Sequence, residues 1–199
     1  MPDNEVGTRT RRGAETAARL RTAARAVFSA QGYAAARVED IVAAAGVSHG
    51  TFYTYYDNKA AILQALVDEA ADAVTVVASE PWEGDDLVAT VEHVLSRFVD
   101  VFIGEADVIR TWLEAAVLEP DFGDRLREIR REYIERVADQ LEPVTRGTDH
   151  DPRVAASALI AMVEGYATRT FEAAPEQERS AAIRTLAAIW AGGIRELSS

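Results

Sequence analysis

Residues 47–59 read VSHGTFYTYYDNK. The stretch gathers three of the chain's six tyrosines, a histidine, three aliphatic hydroxyls and the only lysine. Hydroxyls and phenols donate to phosphate oxygens, an imidazole reaches a base edge, and a glycine lets a backbone approach closely. A helix face turned to solvent is ordinarily rich in Glu and Lys, and residues 49–56 contain neither. The chemistry suited to these residue types is contact with a nucleic acid. The other use for them is an aromatic helix packed into a core. Spacing argues against that use, because Tyr53 and Tyr55 cannot both face inward with Phe52.

Such side chains need a helix to carry them and a turn to aim it. The run VEDIVAAAGVSHGTFYTYY supplies two short helices, over 38–45 and 49–56, in the order of a helix-turn-helix. Val38, Ile41 and Val42 make the apolar face of the first, and Ala45 is small enough for a close crossing. Gly46 can take the left-handed turn conformation without a Cβ clash. Val47 plugs the corner, and Ser48 is an N-cap whose hydroxyl accepts from the amide of residue 50 or 51. Phe52 and Tyr56, four apart, anchor the second helix. Three pairs are left facing outward: His49 with Tyr53, Gly50 with Thr54, and Thr51 with Tyr55. Cations able to meet phosphate flank them, namely Arg9, Arg11, Arg12, Arg37 and Lys59.

Residues 20–67, through AARAVFSAQGY and VEDIVAAAGVSHGTFYTYYDNKAAIL, resemble the DNA-binding domain of the TetR family of bacterial transcriptional regulators. The resemblance covers about a quarter of the chain; the remainder fits the family in length and helical layout only. It implies that Thr51, Tyr53 and Lys59 hold phosphates, that His49, Gly50 and Thr54 touch bases, and that Tyr55 meets backbone. Two positions depart from the family pattern. Arg37 stands where Ser or Thr commonly caps the helix over 38–45, so it either leaves that cap unfilled or reaches phosphate itself. Ala60 replaces a frequent Glu.

The rest of the chain bounds the setting. It has 199 residues, 48% apolar and 27% charged, which is globular and long enough for a sizeable core. No cysteine is present, so disulfides and thiolate metal sites are excluded. His49, His93 and His150 are scattered, with no pair at metal-ligand spacing. No Gly-rich phosphate loop and no ordered nucleophile, base and acid stand out, so an enzyme is not expected, nor a cofactor or a metal. No apolar run approaches a bilayer span, and MPDNEVGTRTRRGAE has no apolar core of a secretory signal, so a cytoplasmic protein is expected. Residues 1–59 hold eight Arg and Lys against six Asp and Glu; residues 60–199 hold 13 against 27. A mildly basic end on an acidic body suits an anionic partner held at that end, and chance gives such a split too.

Apolar spacing is helical throughout, so the expected fold is all-α, with helices over 14–31, 38–45, 49–56, 59–79, 85–103, 105–117, 121–142, 152–173 and 176–197. The expected organisation is a flexible basic arm (1–13), a helix-turn-helix domain (14–58) and a ligand-binding and dimerisation domain (59–199). The helix over 152–173 is apolar nearly all round from 154 to 163, which implies burial on two sides. It and the helix over 176–197 either close a monomeric core or, as the resemblance implies, form a four-helix bundle with a second subunit. The resemblance also implies a cavity for a small effector. Phe98, Phe102, Trp112, Tyr133, Met162 and Tyr166 are candidates for its wall, with Glu164 or His93 as polar contacts, and the same spacing serves a plain core. The expected function is a homodimeric repressor, released from a palindromic double-stranded operator by a mostly apolar ligand. A helical sensor without DNA binding is the reading that a promoter-binding assay separates from it.

Overall fold

The computed structural model describes residues 3–82, 86–167 and 174–197. Among them every extended regular element is a helix and no strand occurs. The order is α1 (Asp3–Ala35), α2 (Val38–Ala45), α3 (His49–Tyr55), α4 (Lys59–Ala78), α5 (Leu87–Gly104), α6 (Ala106–Leu118), α7 (Pro120–Thr145), α8 (Pro152–Tyr166) and α9 (Glu176–Leu197). None of the described helices is long and apolar enough to cross a membrane.

Two compact units emerge. The first is the chain up to Ala70 together with Asp107–Gly123; the second is Ala71–Ala106 together with the chain from Asp124 onward. α6 therefore belongs with α1–α3, although it follows them by some fifty residues.

In the first unit, Leu20, Ala24, Phe28, Ile41, Phe52 and Leu63 form a core in which each is at most 2% exposed. The stripe on α1 buries as its 3–4 spacing predicts. The helix starts well before residue 14, at Asp3. Its end shows how a distant acid completes a local signal. Gly32 breaks the helical backbone at φ 77° and ψ 165°, a conformation that only glycine adopts cheaply. The Glu114 carboxylate of α6 then accepts from the Tyr33 amide at 2.9 Å and the Ala34 amide at 3.1 Å. A Cβ on Gly32 would stand 3.0 Å from Glu114 Oε2, so the carboxylate would have to give by a few tenths of an ångström to admit a side chain there. Arg25 forks onto Asp107 at 2.6 and 2.7 Å. Burial pushes the Asp107 carboxyl up, and the Arg25 guanidinium outweighs it, leaving the group below its ordinary range. The Tyr33 phenol donates to Glu119 at 2.6 Å; burial first, and this bond second, raise its pKa.

The second unit packs α5 on α9, around Val91, Leu95, Val99, Leu141, Ala187 and Ile194. Asp86 caps α5 by accepting from Val88 and Ala89, and Asp151 caps α8 ahead of Pro152, as the Asp-Pro pair predicts. In this unit one described boundary differs from expectation by more than two residues. α7 runs through Pro143 to Thr145; so near a helix end, a proline forfeits a single backbone bond. α8 is helical to Tyr166, and residues 168–173 of its expected span lie outside the described residues.

The Glu114 clamp carries a stability prediction with a sign. The two backbone N–H groups hold its carboxyl below the ordinary 4.5 in the folded chain. Its stabilisation is therefore complete above pH 4.5 and is lost as pH falls through the lower folded value. Glu114→Gln should cost about 1–2 kcal/mol in urea unfolding at pH 7, and the two proteins should converge in stability in acid.

Candidate functional site

The reader is built from α2, a tight turn and α3. Arg37 precedes α2 with extended backbone (φ −123°, ψ 155°), and its N–H donates to Asp40 Oδ2 at 3.3 Å. A guanidinium has no acceptor, so the arginine cannot fill the cap with its own side chain. That side chain is exposed and has no partner among the described residues. At the other end Gly46 takes the left-handed conformation, φ 63° and ψ 41°. There Gly46 N–H reaches Ala43 O, and Val47 N–H reaches Val42 O at 3.1 Å. Arg19 of α1 closes this end by donating to Ala45 O at 2.7 Å and Gly46 O at 3.3 Å.

α3 starts at Ser48, whose hydroxyl accepts from Thr51 N at 3.1 Å and shares a 2.9 Å hydrogen bond with the Thr51 hydroxyl. Phe52 is 0% exposed and holds the helix to the core. Tyr56 ends the helix with its phenol oxygen accepting from Arg21 at 3.2 Å, and Arg21 also pairs with Glu69 at 2.6 Å. The Tyr56 bond first, with Glu69 beside it, makes Arg21 hold its proton more tightly. With Phe52 inside, His49, Gly50, Tyr53, Thr54 and Tyr55 are all exposed, Tyr53 at 54%. The His49 imidazole and Tyr53 hydroxyl have no hydrogen-bond partner among the described residues. Thr54 donates to Gly50 O at 2.9 Å, which leaves its lone pairs to accept. A Cβ on Gly13 would stand 3.6 Å from the Tyr55 hydroxyl, so that phenol lies against α1 beside Arg12, itself exposed.

Lys59 requires a correction. Expected on phosphate, its ammonium instead donates to Tyr33 O at 2.7 Å, Ala36 O at 3.1 Å and Ala34 O at 3.3 Å, and lies 4.5 Å from the centre of the Tyr33 ring. An ammonium has three donors, and these carbonyls take all of them. Lys59 caps the C-terminal end of α1, where a cation is favoured.

The second unit holds a cavity walled by Val77 of α4, Phe98 of α5, Tyr133 of α7 and Ile160 of α8, with Trp82 and Trp190. It leaves room for the centre of a water molecule over about 40 Å³. Two of the six expected wall residues, Phe98 and Tyr133, line it. Phe102 and Met162 pack against the same core without reaching the cavity, and Tyr166 is 38% exposed. Trp112 lies in the first unit, its indole N–H donating to Phe122 O at 3.1 Å. Aromatic spacing identifies a buried face and not which unit that face enters. Glu164 accepts from the Tyr133 phenol and pairs with Arg130 at 3.0 Å. Burial raises its pKa, and Arg130 opposes the rise. His93 is exposed beside Glu80.

A left-handed turn joining two short helices, with a buried aromatic anchor and a polar outer face, defines a helix-turn-helix DNA-binding protein. The chain belongs to the tetR family of bacterial regulatory proteins, whose family model matches residues 20–66, while the tetracyclin repressor-like C-terminal domain matches residues 86–192. It is a DNA-binding transcriptional regulator and not an enzyme. It is 29% identical over 168 residues to the HTH-type transcriptional regulator TtgR of Pseudomonas putida, spanning 78% of this chain and 80% of that protein. To the HTH-type transcriptional regulator UidR of Escherichia coli it is 26% identical over 140 residues, 70% of this chain and 71% of that one. The solved structure of Salmonella enterica GusR superposes with a TM-score of 0.78 at 21% identity, covering 91% of this chain and 96% of that one.

Sequence reasoning missed Arg19, Arg21 and Glu114, which hold the reader's scaffold, and Trp82 and Trp190, which line the cavity. The first three act across 26 or more positions of chain, and nothing in local spacing signals that. Trp190 shares the apolar stripe of α9 with Ile183, Leu186, Ala187 and Ile194, a spacing that marks a buried face and not a wall.

The reassignment of Lys59 is testable. Lys59→Met should destabilise the chain by about 1.5–3 kcal/mol in urea unfolding, the range for hydrogen bonds to a charged group. The slope of log affinity for DNA against log salt should stay unchanged. A phosphate contact would instead reduce that slope by about 1.

Proposed function

We propose that the protein is a homodimeric repressor that holds a palindromic operator and is released from it by a small, mostly apolar ligand. Residues 14–58 read the DNA, the arm over 1–13 adds basic groups, and residues 59–199 bind the ligand and pair the subunits. The observation that carries this reading is the outer face of α3, where the imidazole and phenol stand exposed while Phe52 is wholly enclosed.

His49, Gly50 and Thr54 meet base edges, and Tyr53, Tyr55, Thr51 and Arg37 meet the phosphate backbone. Ser48 sets the start of the helix that carries them. Regulators of this family act as dimers. The reading here pairs α8 and α9 (152–197) with those of a second copy, supported by Val154 at 66% and Ile189 at 53% exposure on helices whose other faces are core. Two readers related by a two-fold axis then address half-sites about 34–36 Å apart, or a multiple of that. α4 carries the chain from the first unit into the second. A ligand that favours one setting of α4 shifts operator affinity by its differential binding, typically about 1–3 kcal/mol. Work on a chromosomal operator places the protein in the cytoplasm.

Selection of bound sequences from random DNA, repeated with candidate apolar ligands, tests the reading. A palindromic consensus, weakened by at least one ligand, is the expected result; a failure to enrich any sequence defeats it. On the selected site, Tyr53→Phe should weaken binding to all sequences about equally. His49→Ala should change preference at particular base pairs by about 1–3 kcal/mol. Equal small effects on every sequence from both would mean that α3 is oriented otherwise.

A further inference from the structure

One polar atom in the second unit is out of place. Among the described residues, Trp190 Nε1 is the sole buried side-chain nitrogen or oxygen without a hydrogen-bond partner. Trp190 is 4% exposed and its ring lines the cavity, with Nε1 itself covered, so a ligand reaches the N–H only as the wall shifts. A buried N–H without an acceptor is destabilising, and the other tryptophan indole with a described bond, Trp112, has its acceptor in the Phe122 carbonyl. Nothing on the cavity wall offers Trp190 the same. The Tyr133 hydroxyl donates to Glu164, and its remaining lone pair is not within hydrogen-bond reach of the Trp190 nitrogen; the remaining lining side chains are hydrocarbon apart from the Trp82 indole, itself only a donor.

We infer that the Trp190 indole N–H is the hydrogen-bonding anchor for the effector, and that the effector is a compact, neutral, flat molecule presenting one acceptor oxygen, such as an aryl ketone. This rests on the ligand-binding reading above and deepens it. Flatness follows from the aromatic wall, in which the Trp82 and Trp190 rings lie 6.1 Å apart at 42° beside Phe98. Neutrality follows from charge. The nearby guanidinium, Arg130, already pairs with Glu164, so an anion would enter a hydrocarbon cavity without a counter-charge, which is strongly disfavoured. A single acceptor follows from there being a single unmatched donor.

The test uses two matched probe pairs that differ only in the acceptor. Acetophenone is paired with α-methylstyrene, and benzophenone with 1,1-diphenylethylene; benzoate is the charged control. Both pairs require the cavity walls to move, the two-ring pair further, because an apolar cavity that admits benzene is about 150 Å³ against about 40 Å³ here. Full-length protein labelled with ¹⁵N, and with ¹³C at its methyl groups, gives indole N–H signals from three tryptophans beside the methyl signals, and loss of an indole signal in Trp190→Phe assigns that residue. The ketone of at least one pair should bind about ten-fold or more tightly than its alkene and move the Trp190 indole proton downfield. Trp190→Phe should bring the ketone-to-alkene ratio close to one. The inference is overturned if ketone and alkene bind alike while shifting the methyl signals of Val77 and Ile160, for then the cavity takes ligands without using the indole. It is overturned equally by benzoate binding more tightly than acetophenone. If no probe moves any cavity signal near its solubility limit, the ligand-binding reading of this cavity falls, and the anchor falls with it. The wild-type spectra decide the matter even if Trp190→Phe does not fold.

Discussion

Burial of Phe52 constrains everything that the first unit can present. α3 has seven residues, two turns of helix, and so has only one orientation once a single side chain is fixed. With Phe52 wholly inside, its neighbours at 53, 54 and 50 are turned outward, and those at 49 and 55, at the edges of its face, are exposed as well. The helix is too short to be stable alone. The Ser48 cap, the left-handed Gly46 and the Arg21–Tyr56 bond each tie down one end of it. The polar face is exposed because the apolar face has no alternative, and a rigid, preset face is what groove recognition demands.

The same scaffold explains how an acidic chain addresses an acidic partner. Most basic side chains described in the reader's unit already have partners. Arg19 and Lys59 close helix ends, Arg21 and Arg25 join elements of the first unit, and Arg11 pairs with Glu15. Arg12 and Arg37 remain as free cations among the described side chains at or before residue 59. On the reading proposed above, phosphate contact would rest on these two cations and on neutral donors, the phenols and hydroxyls of α3, which release few counterions.

How much of this the sequence made legible depends on whether the signal was local. The limits of α2 and α9 coincide with the expected ones, because Gly46 and Pro175 mark them within a residue or two. The orientation of α3 follows from the incompatibility of Phe52, Tyr53 and Tyr55 on one face. The role of Lys59 was not legible. Its partners are carbonyls 23 to 26 residues away, and a lone lysine beside a DNA-reading helix is chemically suited to phosphate. Arg37 was half legible: a guanidinium could never cap α2, but only the structure shows Asp40 accepting from the Arg37 amide. Trp112 and Trp190 both sit on apolar helical stripes, and periodicity tells a buried face from an exposed one without telling core from cavity wall.

That last distinction decides what the second unit can do. A core and a ligand pocket are built from the same side chains at the same spacing, and both are dense and apolar. They differ in whether the polar atoms left inside are matched by the protein. In the first unit the Trp112 indole, the Tyr33 phenol and the Arg25–Asp107 pair all are, which is the behaviour of a scaffold. In the second unit the Tyr133 phenol donates to Glu164, and the N–H of Trp190, whose ring lines a small apolar cavity, is left over. A fold with no use for that nitrogen would be better served by phenylalanine, which carries no donor to strand. The unmatched donor thus gives a chemical reason, separate from shape, to regard the cavity as a recognition site.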